Sequence, residues 1–296
     1  MAMTRREFLA GSAAGLAGAS LAKELLAMKR VAPKLGVGIC DWSAGLRGKP
    51  AEAMAFCAEL GLDALQISPR GADKTLSYAA RAVQDAYKKA VKDTGVKIAS
   101  VGLTVTNGCP LATDERGAGW LKQTVDAAAA LGCTATLIAF FGKGSLKGKG
   151  GLKREAIDAV VAKLKAAAPY AESKGVALGL ENTLSAKENM AIMDKVGSKA
   201  VQVYYDIANS TSNGYDVPAE IRMLKGRICE FHLKNTKGVF GESGIDLKPI
   251  RKAILETGFS GWLIMERSFG RDKKAYFGKN AAAIRKVFDL PAPKKA

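Results

Sequence analysis

The chain has 296 residues, 45 Lys plus Arg against 28 Asp plus Glu, a net charge of +17, 48% hydrophobic residues, five cysteines and one histidine. A single α/β barrel needs roughly 250 residues, so the length suits one large domain or two ordinary ones, and the composition excludes a disordered, collagen-like or low-complexity chain. The lone histidine, His232, excludes a two-histidine zinc motif, a three-histidine metal site and any cluster of zincs that needs several imidazoles.

Taken from its start, the chain reads Thr4-Arg5-Arg6-Glu7-Phe8-Leu9, then an Ala/Gly/Leu-rich run that meets no further charge until Lys23. This resembles a twin-arginine export signal, with small residues suited to a signal peptidase near Ser20-Leu21-Ala22. About 20 apolar residues are needed to span a bilayer, and the run from Phe8 to Ala22 is shorter and Gly-rich, which points to cleavage rather than a permanent anchor. The expected division is a signal over 1–22, a linker over 23–33, one folded domain over 34–290 and a basic tail over 291–296. The expected location is periplasmic, with only transient contact with the membrane.

Beyond the linker, eight short β-type runs recur: Leu35–Ile39, Ala64–Ile67, Val96–Leu103, Ala135–Phe140, Val176–Glu181, Val201–Asp206, Ile228–Leu233 and Trp262–Glu266. The segments between them have helical periodicity. Lys153 to Lys174, for instance, spaces Ile157, Val160, Val161, Leu164 and Ala168 by three and four residues. Gly61, Gly95, Gly132, Gly175, Gly197 and Gly258 each fall where a helix would end before the next strand. An open doubly wound sheet also alternates strand and helix, but no G-x-G-x-x-G or Walker sequence follows the first strand. The expected fold is therefore α/β, a single (β/α)8 TIM barrel. Cys40, Cys57, Cys109, Cys133 and Cys229 are odd in number and lack C-x-x-C spacing, so buried thiols are expected, with one disulfide left open.

In such barrels the active site lies at the C-terminal ends of the strands. Strands five to eight end in Leu180-Glu181-Asn182, Tyr205-Asp206, His232-Leu233-Lys234 and Met265-Glu266-Arg267, with Glu181, Asp206, His232 and Glu266 spaced 25, 26 and 34 residues apart. That is about one βα unit each time, so closure brings all four to one rim. Taken singly, each reads as a helix cap or a satisfied core histidine. Jointly, three carboxylates and an imidazole facing one another call for a cation. An O3N donor set suits one divalent ion, Mn, Co or Mg, with Zn also open.

The L-E-N, Y-D-I-A-N, F-H-L-K-N and M-E-R segments, with Gly241-Glu242-Ser243-Gly244-Ile245-Asp246 between the last two, resemble the sugar phosphate isomerase/epimerase family of xylose isomerase-like TIM barrels. The resemblance is specific over residues 176–268 and looser over 35–140. It implies that Glu181, Asp206, His232 and Glu266 hold the metal and that Glu181 and Glu266 also transfer protons. Three departures stand out. Asn209 occupies the position where many members have a histidine, Gln66 ends the second strand where Glu is frequent, and Lys187 stands six residues after Glu181 where ketose epimerases carry an acid. These point away from a free-ketose 3-epimerase and leave the ligand set intact.

The implied activity is a metal-dependent isomerase or epimerase acting on a sugar, sugar phosphate or sugar acid by proton abstraction α to a carbonyl. A lyase or hydratase acting on a keto-sugar through the same site, and a non-catalytic sugar-binding barrel, are the alternatives. Asn209, Lys234, Glu242, Trp42, Gln66 and Arg267 are the candidate substrate contacts. Residues 1–22 account for only one unit of the positive charge. Basic residues also recur in the predicted loops: Arg47 and Lys49 after the first strand, Lys143, Lys147, Lys149, Lys153 and Arg154 after the fourth, and Arg267, Arg271, Lys273 and Lys274 after the eighth. Such a ring favours an anionic sugar. A nucleic-acid partner is not expected, because the multi-metal nucleases of this barrel class need several histidines. A homo-oligomer stays open.

Overall fold

A computed structural model of the protein describes residues 34–267 and 269–292. The expected export signal, the expected linker up to residue 33 and the last four residues of the chain lie outside them.

Among the described residues, eight barrel strands alternate with eight principal helices, and Lys147–Gly148 pairs with Gly151–Leu152 as a separate two-stranded sheet. The strands are β1 Leu35–Cys40, β2 Ala64–Ile67, β3 Lys97–Leu103, β4 Ala135–Ala139, β5 Ala177–Glu181, β6 Val201–Asp206, β7 Ile228–Leu233 and β8 Gly261–Met265. The helices are α1 Pro50–Glu59, α2 Arg81–Thr94, α3 Gly117–Leu131, α4 Arg154–Ser173, α5 Ala186–Val196, α6 Val217–Leu224, α7 Leu247–Thr257 and α8 Lys273–Phe288. Each strand pairs in parallel with its neighbours in chain order, and β1 closes the barrel against β8, with Leu35 opposite Gly261 and Ile39 opposite Met265. The expected strands are all present, with ends shifted by at most one residue. Pairing in β8 stops at Met265, leaving Glu266 just beyond the strand.

The helices form because each has one apolar stripe to bury. In α4, Ile157, Val160, Val161, Leu164, Ala168 and Ala171 face the barrel. The six glycines read as helix terminators all adopt left-handed φ between 63° and 77°, a region closed to most side chains. Outward-facing strand residues such as Tyr205, Phe231 and Leu233 join the layer shared with the helices. Other buried strand residues form two smaller clusters: Cys40, Ala64, Ala99 and Ile264 pack together, as do Leu137, Ala139 and Tyr204. Gly179 on β5 is obligatory there, since a Cβ would lie 2.5 Å from the Thr136 carbonyl oxygen and 2.6 Å from Cys229 Sγ.

All five cysteines are free, and Cys40, Cys57 and Cys133 are buried, so the disulfide left open by the sequence is not formed. No helix among the described residues is long and apolar enough to cross a membrane.

Candidate metal centre

Period-two alternation aims every second residue of a strand into the barrel, and closure sets the ends of β5 to β8 side by side. Asp206 stands opposite His232 across β6 and β7, and His232 opposite Ile264 across β7 and β8. Glu181, Asp206, His232 and Glu266 each offer one ligand atom, and these atoms lie within 4.8 Å of one another. His232 Nδ1 is 2.7 Å from Glu181 Oε1, 3.8 Å from Glu266 Oε2 and 3.9 Å from Asp206 Oδ2.

The carboxylates are held by different means. Asp206 caps the short helix Ile207–Ser212 by accepting from the Ala208 and Asn209 amides on Oδ1, at 2.7 and 2.8 Å. Its Oδ2 is thereby aimed into the site. Trp42 Nε1 donates to Glu266 Oε1 at 3.1 Å. Lys234 Nζ lies 2.7 Å from Glu266 Oε2 and 2.8 Å from Asp206 Oδ2. The second contact is an ion pair whose direction leaves Asp206 Oδ2 buried without a hydrogen bond.

These contacts divide the two glutamates. Burial raises the Glu181 carboxyl above its usual range, and burial likewise raises Asp206 against the pull of Lys234. Burial acts on Glu266 in the same sense, but His232 and Lys234 outweigh it and hold that carboxyl down at about 2. For His232, burial opposes protonation, and Glu181 and Glu266 overcome it, pushing the imidazole up to about 9. Three carboxylates and one imidazole nitrogen, each offering a ligand atom within one small volume, fit a divalent ion with oxygen-dominated coordination.

The candidate substrate contacts fare differently. Lys234 and Trp42 join the site directly. Asn209 starts the helix capped by Asp206, and its Nδ2 is buried with no partner, a donor left for a ligand. Gln66 is fully enclosed and its Oε1 lies 2.8 Å from His232 Nε2, on the imidazole edge away from the carboxylates, rather than on an open surface. The inward pleat is the reason: near the end of β2, opposite Cys40 of β1, it is directed into the barrel beneath the rim. Arg267 is exposed, with φ 65° and its guanidinium 4.8 Å from the Phe269 ring centre. Its amide donates to Ser43 Oγ at 2.9 Å. Glu242 is exposed in the loop after β7, without a hydrogen bond or ion pair to the four ligands.

Several neighbours were not anticipated. One layer below the ligands, Glu230 Oε1 accepts from Tyr204 OH at 2.8 Å and Ser100 Oγ at 3.0 Å, and burial raises its carboxyl to about 7. The Tyr204 ring lies 4.5 Å from the His232 ring, centre to centre. Glu230 and Tyr204 each precede a ligand by two residues, so strand periodicity carried the signal. Asp41, fully buried after β1, accepts from the Ser68 amide and hydroxyl at 2.9 and 2.6 Å, while Arg47 Nε donates to the same hydroxyl at 2.8 Å. Burial pushes the Asp41 carboxyl up to about 6. Arg47 thus ties the first two loops together, and Lys274 pairs with Glu59, so these two members of the basic ring are engaged within the protein.

The sequence profile of a family described as xylose isomerase-like TIM barrel matches residues 54–287. No curated protein matches the sequence. Among solved structures, an L-ribulose 3-epimerase aligns with TM-score 0.70 and 20% identity, covering 86% of this chain and 95% of its own. A 3-keto-D-glucoside 4-epimerase from E. coli aligns with TM-score 0.70 and 13% identity, covering 86% and 100%. A sugar phosphate isomerase/epimerase from Parabacteroides distasonis aligns with TM-score 0.67 and 18% identity, covering 89% and 97%. At these identities the likeness establishes a shared fold.

Proposed function

The chain belongs to the xylose isomerase-like TIM barrel family, and from that premise we propose that it is a divalent-metal-dependent isomerase or epimerase of a sugar, sugar phosphate or sugar acid. The observation that carries this reading is the convergence of Glu181, Asp206, His232 and Glu266 at four successive strand ends, their ligand atoms within 4.8 Å of one another. The epimerase and isomerase activities named for the structural neighbours support it.

In this reading Glu181, Asp206, His232 and Glu266 hold one Mn, Co, Mg or Zn ion. When bound, such an ion would supply Lewis-acid polarisation of the substrate carbonyl. Glu181 and Glu266 stand on different strands of the rim and exchange protons with the carbon beside the carbonyl. Return of the proton to the opposite face inverts that carbon, and return to the neighbouring carbon moves the carbonyl. Trp42 and Lys234 fix the Glu266 carboxylate through separate oxygens, which keeps it oriented and charged. The unpaired Asn209 Nδ2 provides a donor for a substrate hydroxyl. The high positive charge favours phosphorylated or acidic sugars.

Metal analysis of the purified protein, followed by a screen of phosphorylated, acidic and 3-keto sugars with the metal-loaded enzyme, tests the assignment. His232→Ala is expected to abolish metal binding and turnover. Glu266→Gln is expected to lower kcat by about 10²- to 10⁴-fold, the usual contribution of a general acid or base. Retained activity in both variants overturns the site.

The Arg5-Arg6 leader extends the proposal to an enzyme exported by the twin-arginine route to the periplasm. Replacing both arginines by lysine should hold the protein in the cytoplasm on fractionation, and unchanged export would remove this part of the reading.

A further inference from the structure

His232 presents its two nitrogens to different surroundings. Nδ1 faces Glu181, Asp206 and Glu266, whereas Nε2 faces Gln66 Oε1 at 2.8 Å. Cys40 Sγ lies 3.2 Å from the same Gln66 oxygen and 3.5 Å from His232 Nε2. All three side chains are completely buried, and no water-exposed group competes for these contacts.

An imidazole ligates a metal through an unprotonated nitrogen, so ligation by Nδ1 requires the proton to sit on Nε2, and that proton needs an acceptor. Gln66 Oε1 is such an acceptor. The reversed amide would present an NH2 group to Nε2, drive the proton to Nδ1 and block ligation. The Cys40 thiol favours the observed orientation, since at 3.2 Å it donates to the amide oxygen, whereas in the reverse the sulfur would offer the amide nitrogen only a weak acceptor. The amide nitrogen of Gln66 is left buried without a partner. The arrangement therefore forgoes a hydrogen bond at that nitrogen while keeping the oxygen on His232.

We propose that Gln66, oriented by Cys40, is the positioning residue that sets the His232 tautomer and thereby prepares Nδ1 to bind the divalent ion. The inference rests on the metal-site reading above and assigns Gln66 away from substrate contact.

Because the chain has a single histidine, labelling with [15N]histidine yields one imidazole signal set. A long-range proton–nitrogen correlation on the full-length protein loaded with Zn2+ should report a protonated Nε2 and an unprotonated, metal-shifted Nδ1. Titration calorimetry with Zn2+ and Co2+ should give Gln66→Leu an affinity about 10- to 100-fold below wild type, the usual effect of losing a ligand's orienting partner. Gln66→Glu retains an acceptor oxygen and should bind at least as tightly as wild type. Cys40→Ala should bind both ions more weakly than wild type. Metal bound by wild type through Nε2, or equal affinities in wild type and Gln66→Leu, overturns the inference alone. A wild-type protein that binds none of Mg2+, Mn2+, Co2+ or Zn2+ overturns the metal-site reading beneath it.

Discussion

Asp206 illustrates how one side chain serves structure and chemistry together. One oxygen accepts two amides at the start of a helix, as an N-cap does, and the other faces the carboxylate cluster, 2.8 Å from Lys234 Nζ. Its sequence position posed a choice between cap and ligand; the cap is formed through Oδ1, which leaves Oδ2 free to serve as a ligand in the proposed site. Glu230 is the complementary case, a buried carboxyl with no cation in direct contact. Its pKa rises from 4.5 to about 7 because burial outweighs the hydroxyl donors. The folded chain therefore holds this proton more tightly than the unfolded chain does. The stabilisation is complete below about pH 4.5 and is lost as pH rises through 7, a swing of about 3 kcal/mol. Glu230→Gln keeps an oxygen for both hydroxyls and removes the charge. Denaturant titrations across pH 4 to 8 should show a flatter profile for this variant than for wild type and higher stability at pH 8, to be checked with fixed metal content.

At the scale of elements, the positions that ended helices and aimed strand residues were legible because they depend on local geometry. Left-handed glycines close helices whatever the surrounding fold, and period-two alternation sends Glu230 and His232 to the same side of β7. The cap of α5 was not singled out from the sequence, although Ser185-Ala186-Lys187-Glu188 has the required spacing. Ser185 Oγ accepts from the Glu188 amide, and Glu188 Oε2 accepts from the Ser185 amide at 2.7 Å. Ser185→Ala should lower stability by about 1 kcal/mol in a chemical melt. Because α5 bears none of the four ligands, the variant's metal affinity should match that of wild type.

For the whole molecule, closure of β1 on β8 completes a barrel that gathers four residues, spaced 25, 26 and 34 positions apart in sequence, into one cluster. The interior that closure creates has little spare room. Gly179→Ala brings a methyl against the Thr136 carbonyl and Cys229 sulfur, and thermal melts should register a loss of about 1–3 kcal/mol. The net charge of +17 acts at the same scale. If it steers anionic sugars, kcat/KM for a phosphorylated or acidic substrate falls as salt is raised, while that for a neutral sugar stays level. A flat salt response for the charged substrate would separate the surface charge from catalysis.

The sequence by itself determined the eight-fold alternation, the helix ends and the identity of the four converging residues, since hydrophobic periodicity, glycine conformation and strand-end position are local properties that survive without knowledge of partners. Tertiary structure decided what those residues touch. Gln66, read as a substrate contact, is turned onto His232 because the barrel wall points it inward, and Arg47, read as part of a basic rim, is drawn to Ser68 by the buried Asp41. Both outcomes depend on contacts between different strands and loops, whose distances and orientations are set only when the barrel closes.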